Sequence, residues 1–242
     1  VDKDQRLSYA VNLFKKHSIA RLPVCEEGVL VGIITQRDIM KKIGYFKEDL
    51  KVSTFHVSTC MTRDPCTLDP GDPVEKAVDL FCSAGISGIP VVGTELVGMV
   101  TKLDVIKVHD YPFKVSDCYT REFISISADE RVVHARMLML EHNERCLPVI
   151  NGSLRGVITT SDVVFELYTF MELIDHHQRT LVRNVPVAEA MNQNPQVAHL
   201  GQDVEDVKAI MVKENLSTLP VVEEGAVMGL FSKDEMINVL QR

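Results

Sequence analysis

The chain has 242 residues, is 45% hydrophobic and carries a formal charge of −8 with a pI near 5.5. That is enough apolar material for one large domain or two ordinary ones, each with its own core. The acidic balance argues against a general nucleic-acid binder, whose affinity comes from clustered Lys and Arg, and no run of about 18 uncharged apolar residues is available to cross a membrane. Six cysteines (Cys25, Cys60, Cys66, Cys82, Cys118 and Cys146) show neither a Cys-x-x-Cys pair nor a His at metal-ligand spacing. They predict free thiols in a soluble, cytoplasmic protein, not a zinc site or a disulfide framework.

Four Pro-Val dipeptides anchor an internal repeat: Pro23-Val24, Pro90-Val91, Pro148-Val149 and Pro220-Val221. In the first repeat Leu7, Ala10 and Phe14 mark one helix face ahead of the proline, at positions 0, +3 and +7. A turn at Glu26-Glu27-Gly28 and an apolar run over Val29–Thr35 complete a predicted hairpin. The second repeat opens at Met61, runs through a short strand to Thr67, and places Val74, Ala77 and Phe81 on its helix face. Its hairpin turns at Thr94-Glu95 into Leu96–Thr101, and a helix is predicted over 104–108. The third runs from Tyr119 through Ser125 to Val132, Ala135 and Met139, turns at Asn151-Gly152, and continues through 154–159 into a helix over 162–167. The fourth runs from Met191 through Val197 to Val204, Val207 and Met211, turns at Glu223-Glu224-Gly225, and ends with Ala226–Ser232 and a last helix. Asp4, Asp72, Asp129 and Asp203 stand where a carboxylate is expected to cap each main helix.

Each repeat closes on Gly-x-x-[Thr/Ser]-x-x-[Asp/Glu]: Gly32-Thr35-Asp38, Gly98-Thr101-Asp104, Gly156-Thr159-Asp162 and Gly229-Ser232-Glu235. A hydroxyl at a strand end and a carboxylate one turn into the next helix converge on one small volume. The carboxylate suits the paired hydroxyls of a ribose; the hydroxyl and the helix N–H groups suit a phosphate. The competing reading is helix capping by Thr, with Asp favourable in the first turn.

A Met-Thr start, an amphipathic helix, a Pro-Val strand and a Gly-x-x-Thr-x-x-Asp close, as in MTRDPCTLDPGDPVEKAVDLFCSAGISGIPVVGTELVGMVTKLDVI, resemble a cystathionine-β-synthase-type (CBS) domain. The resemblance implies an α/β fold of four CBS domains at 1–43, 57–109, 113–170 and 185–242, the first N-terminally incomplete. Each would hold a short three-stranded sheet with flanking helices. The four would form two pseudo-twofold modules, 1–109 and 110–242, dividing near 108–112 and burying the helices that follow each Thr-x-x-Asp.

The implied function is regulatory. Clefts between paired domains would bind AMP, ADP, ATP or S-adenosylmethionine, and a homo-oligomer would pass the change to an effector protein. The alternative is a ligand-independent dimerisation scaffold. The residues implied at the ligand are Thr101, Asp104, Thr159 and Asp162 first, then Thr35, Asp38, Ser232 and Glu235. Cys66-Thr67, Gly88-Ile89, Ile124-Ser125 and Cys146 would wall the base pocket. Arg21, Arg37, Lys102 and Arg145 are candidate phosphate partners. No nucleophile, base and orienting group form a set, so catalysis is not expected. Metal binding is not expected either: His176 and His177, adjacent on a helix, would point about 100° apart.

Overall fold

The computed structural model describes residues 1–43, 54–173 and 184–241. Four helices carry the predicted apolar faces: α1 (Leu7–His17), α4 (Val74–Ser83), α6 (Val132–Glu141) and α9 (Val204–Lys213). Phe14, Phe81, Met139 and Met211, at the same position of the four, are fully buried. Each contributes about 1.5–3 kcal/mol through the area it removes from water. Five residues before each proline the chain turns left-handed, at Ser18 (φ 52°), Gly85 (φ 62°), Asn143 (φ 59°) and Asn215 (φ 52°). Gly and Asn tolerate that conformation, and it stops the helix and aims the chain into the strand.

The four hairpins follow. They are β1 (Arg21–Glu26) with β2 (Val29–Thr35), β4 (Gly88–Val92) with β5 (Leu96–Thr101), β6 (Cys146–Asn151) with β7 (Ser153–Thr159), and β8 (Thr218–Glu223) with β9 (Ala226–Ser232). In the first and last the two turn residues both have positive φ (Glu27 49° and Gly28 84°; Glu224 49° and Gly225 83°), the turn that matches strand twist. The helices after the hairpins are α2 (Gln36–Ile43), α5 (Lys102–Lys107), α7 (Thr160–Leu173) and α10 (Lys233–Leu240). On one side of each Pro-Val strand a single parallel bridge is made, by Asp2, Leu68, Ile126 and Ala198 in turn. Only the first sheet holds three named strands, β1–β2–β3 with β3 at Thr62–Arg63; the others hold two strands plus bridges.

Short leading segments precede three of the repeats: α3 (Val57–Cys60), a 3-10 turn (Val115–Asp117) and α8 (Val187–Ala190). Each packs on a repeat other than the one it introduces. Thr62 pairs with Ile33, Thr120 with Leu230 and Asn192 with Val157. By its contacts the chain divides into two compact units, Val1–Pro65 with Ile124–Asn194, and Cys66–Phe123 with Pro195–Arg242. The first joins α2 to α7 around Phe14, Ile34, Ile39, Met40, Leu147 and Val163. The second joins α5 to α10 around Phe81, Ile89, Ile106, Leu219 and Phe231.

The helix pairs α2 with α7 and α5 with α10 set repeat 1 beside repeat 3 and repeat 2 beside repeat 4, while the exchanged leaders tie repeat 2 to repeat 1 and repeats 3 and 4 to each other. One expectation is corrected. The capping aspartates fail: the N-cap positions of the main helices are Arg6, Pro73, Arg131 and Asp203, and none makes a side-chain cap bond. Asp72 instead accepts from the Asp69 N–H at 2.7 Å and pairs with Lys76, and Asp203 pairs with Lys114. His176-His177 lies outside the described residues.

Candidate functional site

The closing motif forms the same constellation four times. The Thr101 N–H and Oγ1–H both donate to Asp104 Oδ2, at 2.9 and 2.6 Å, and the Asp104 N–H returns to Thr101 Oγ1 at 3.4 Å. Thr159 and Asp162 repeat this at 2.8, 2.7 and 3.4 Å, and Thr35 and Asp38 at 2.9, 2.6 and 3.2 Å. In repeat 4 the Ser232 N–H and hydroxyl reach Glu235 Oε2 at 2.6 and 2.5 Å. The expected cap is therefore real, and it is reciprocal: it locks the carboxylate rotamer with one oxygen and leaves the other outside the capping box.

The second oxygen separates the copies. Thr120 Oγ1 donates to Glu235 Oε1 at 2.6 Å, and Thr62 Oγ1 stands 3.5 Å from Asp38 Oδ1. Asp104 Oδ1 and Asp162 Oδ1 meet no such donor among the described residues. Asp104 is exposed; Asp162 is half-buried, and that burial raises its pKa above the ordinary carboxylate value against the pull of the two Thr159 bonds. Thr62 and Thr120 escaped sequence reasoning, although the leaders carry them in register at Met61-Thr62 and Tyr119-Thr120.

Strand register gathers the remaining candidates within each repeat. Gly88 lies opposite Thr101, and Cys146 opposite Thr159. The Leu68 N–H bonds the Pro90 carbonyl at 3.0 Å, so exposed Cys66 and Thr67 enter from the end of β4 that carries Gly88 and Ile89. Ile126 bonds Pro148 in the same way at 3.0 Å, bringing Ile124 and Ser125 toward Cys146. Ile89 and Cys146 are buried, and burial, reinforced by Asp162 and Glu144, pushes the Cys146 thiol up to about 12.

Two of the four basic candidates are engaged elsewhere. Arg37 donates to the carbonyls of Glu144 and Met139, at 3.2 and 3.3 Å, at the end of α6. Lys102 is buried on Asp234. An open depression of about 480 Å³, lined by Leu154, Arg155, Met191 and Asn194 among others, contains none of the predicted site residues. Among the described residues no three His, Cys, Asp or Glu side chains gather as metal ligands, and no helix is long and apolar enough to cross a membrane.

A repeated unit of helix, Pro-Val hairpin and capped Thr-x-x-Asp helix defines this as a tandem-repeat α/β protein. The sequence profile of the CBS domain matches residues 1–45, 57–110, 115–169 and 187–242, and the chain belongs to the CBS-domain family. An uncharacterized protein of Methanocaldococcus jannaschii, MJ1225, is 27% identical over 94% of this chain and 90% of its own length. The crystal structure of MJ1225, a proposed archaeal homolog of g-AMPK, covers 99% of this chain and 95% of that one with a TM-score of 0.88 at 24% identity. An uncharacterized conserved protein from Pyrococcus horikoshii covers 91% of each chain with a TM-score of 0.63 at 25% identity. Inosine-5′-monophosphate dehydrogenase of Korarchaeum cryptofilum is 38% identical over 43% of this chain, but the match spans only 22% of the enzyme.

Proposed function

We propose that the protein is a regulatory sensor that binds adenosine-containing ligands at repeats 2 and 3, within the class AMP, ADP, ATP and S-adenosylmethionine. The observation that carries this reading is the pair of carboxylate oxygens, Asp104 Oδ1 and Asp162 Oδ1, that lack the threonine donors found at Glu235 and Asp38. A carboxylate whose rotamer is already fixed by a capping box accepts ribose hydroxyls with little further ordering cost. The neighbouring strand residues, Cys66-Thr67 with Gly88-Ile89 and Ile124-Ser125 with Cys146, offer an apolar wall with hydroxyls at its edge, as an adenine requires. Repeats 1 and 4 serve as closed copies. The site binds and does not turn over its ligand, and the regulated effector is a separate cytoplasmic protein that responds to the homo-oligomer.

The test is calorimetric titration of the wild type, Asp104→Ala and Asp162→Ala with AMP, ADP, ATP and S-adenosylmethionine. A hydrogen bond to a charged group contributes about 1.5–3 kcal/mol, so each substitution weakens its own site by about tenfold to more than a hundredfold. Loss of the cap costs the free protein only about 0.5–2 kcal/mol, so its fold survives. Unchanged affinity in both variants, or no ligand of the class binding the wild type, returns the motif to capping alone and leaves the scaffold reading.

A further inference from the structure

The three leaders lie on their hairpins in one register. The atom nearest to a Cβ built on the closing glycine is the carbonyl oxygen of the covering residue: Thr62 at 2.8 Å over Gly32, Asn192 at 2.4 Å over Gly156 and Thr120 at 2.1 Å over Gly229. The side chain of the residue before it, Met61, Met191 or Tyr119, comes next. The residue after each glycine pairs with the same covering residue: Ile33 with Thr62, Val157 with Asn192 and Leu230 with Thr120. The closing carboxylate follows its glycine at the same spacing in all three, at Asp38, Asp162 and Glu235. Each leader therefore carries one side chain to the equivalent place beside a carboxylate.

What that side chain does there differs. Thr120 Oγ1 donates to Glu235 Oε1 at 2.6 Å, and Thr62 Oγ1 stands 3.5 Å from Asp38 Oδ1. Asn192 turns along its own leader instead, where its Oδ1 accepts the Asn194 N–H at 3.0 Å. Asn closes such a local turn readily, and the turn takes its side chain away from the carboxylate. Asp162 Oδ2 is held by both Thr159 bonds, and Asp162 Oδ1 meets no donor among the described residues.

We propose that Asn192 is the specificity-determining residue of repeat 3: by folding onto Asn194 it leaves Asp162 Oδ1 to a hydroxyl of the ligand, where repeats 1 and 4 supply a threonine hydroxyl from the leader. The inference rests on the ribose reading of Asp162 given above and narrows it to ligands with a free ribose hydroxyl. A hydroxyl on the leader and a hydroxyl on the ligand compete for one carboxylate oxygen and for the space before it. The identity of this single residue then sets which copy of the motif takes a ligand.

The experiment is calorimetric titration of the full chain with AMP, in an Asp104→Ala background that leaves repeat 3 as the remaining proposed site. Asn192→Thr and Asn192→Val both give up the turn onto Asn194 and have side chains of one shape, so they differ in the hydroxyl. Asn192 is exposed, and threonine already occupies its position in the other two leaders, so both variants fold. The expected result is AMP binding about threefold to tenfold weaker in Asn192→Thr than in Asn192→Val, the worth of one hydrogen bond. With 2′,3′-dideoxyadenosine monophosphate, which brings no ribose hydroxyl, the two variants bind alike. Without ligand, the Asp162 carboxyl carbon followed by NMR titrates at lower pH in Asn192→Thr than in Asn192→Val, because a donor favours the charged form. Equal AMP affinity in the two variants, the same ratio with the dideoxy nucleotide, or coincident Asp162 titrations overturns the proposal, and the ribose reading stands if Asp162→Ala still loses affinity. No AMP binding by the Asp104→Ala parent overturns both.

Discussion

At the scale of single residues, four chemically similar carboxylates differ by one contact each. Asp162 has an added consequence, because burial raises its pKa. For an acid whose folded pKa is raised, the contribution to stability is present below the unfolded pKa and lost as pH rises through the folded one. Ribose hydroxyls favour the charged form, so ligand affinity runs the other way and falls as the carboxylate gains its proton. An Asp104→Ala protein, in which repeat 3 is the remaining proposed site, is expected to lose AMP affinity as pH falls, over an interval that lies above the ordinary carboxylate range. Calorimetry across that interval checks it; a flat profile would show that the ribose does not use Asp162. The motif itself was legible in the sequence, since Gly, Thr and Asp recur in register. Which carboxylates meet a second donor was not, because that depends on Thr62 and Thr120, which reach Asp38 and Glu235 from leaders distant in sequence.

At the scale of elements, each unit pairs the helices that follow two closing motifs, and the polar contacts between them repeat. Ser161 donates to Gln36 at 2.7 Å where α7 meets α2, and Lys102 donates to Asp234 where α5 meets α10. In both pairs the residue just after one Thr meets the second residue after the other repeat's Thr or Ser. Lys102 is 5% exposed, so its ammonium depends on Asp234. Removing the acid leaves a nearly buried charge, whereas removing the charge does not. Asp234→Ala is therefore expected to cost about 1–3 kcal/mol, less than a fully buried pair because Asp234 is half exposed, while Lys102→Met stays within about 1 kcal/mol. Thermal melts of the two variants decide the order; equal losses would refute the dependence. The main helices were readable because Leu7, Ala10 and Phe14 and their counterparts keep one period. The leaders were not assigned to a sheet, because a two-residue strand such as Thr62–Arg63 carries no periodicity.

At the scale of the whole molecule, neither unit is a continuous stretch of chain: the backbone passes from one to the other after Pro65, Phe123 and Asn194. Fragments 1–109 and 110–242 each contain parts of both units and all of neither. Expressed separately they are expected to lack cooperative melting, and when mixed they should recover it, as circular dichroism and size exclusion would report. Two independently folded halves would contradict the division. The repeat count followed from the Pro-Val anchors. The contact of α2 with α7 did not, because the two find each other across more than a hundred residues, and no local pattern in Ile39 or Val163 names the partner.

The same interleaving governs biosynthesis. During synthesis from the N-terminus, Ile39 and Met40 on α2 emerge long before Val163 and Val164, which share their core. At about 5–20 residues per second, the ribosome leaves that apolar face without its partner for several seconds or more. The second unit finishes only when Met236 and Ile237 have emerged. A nascent chain held open this long is a natural client for a chaperone, and a truncation near the C-terminus would strand residues 66–123 without the core they were built to join.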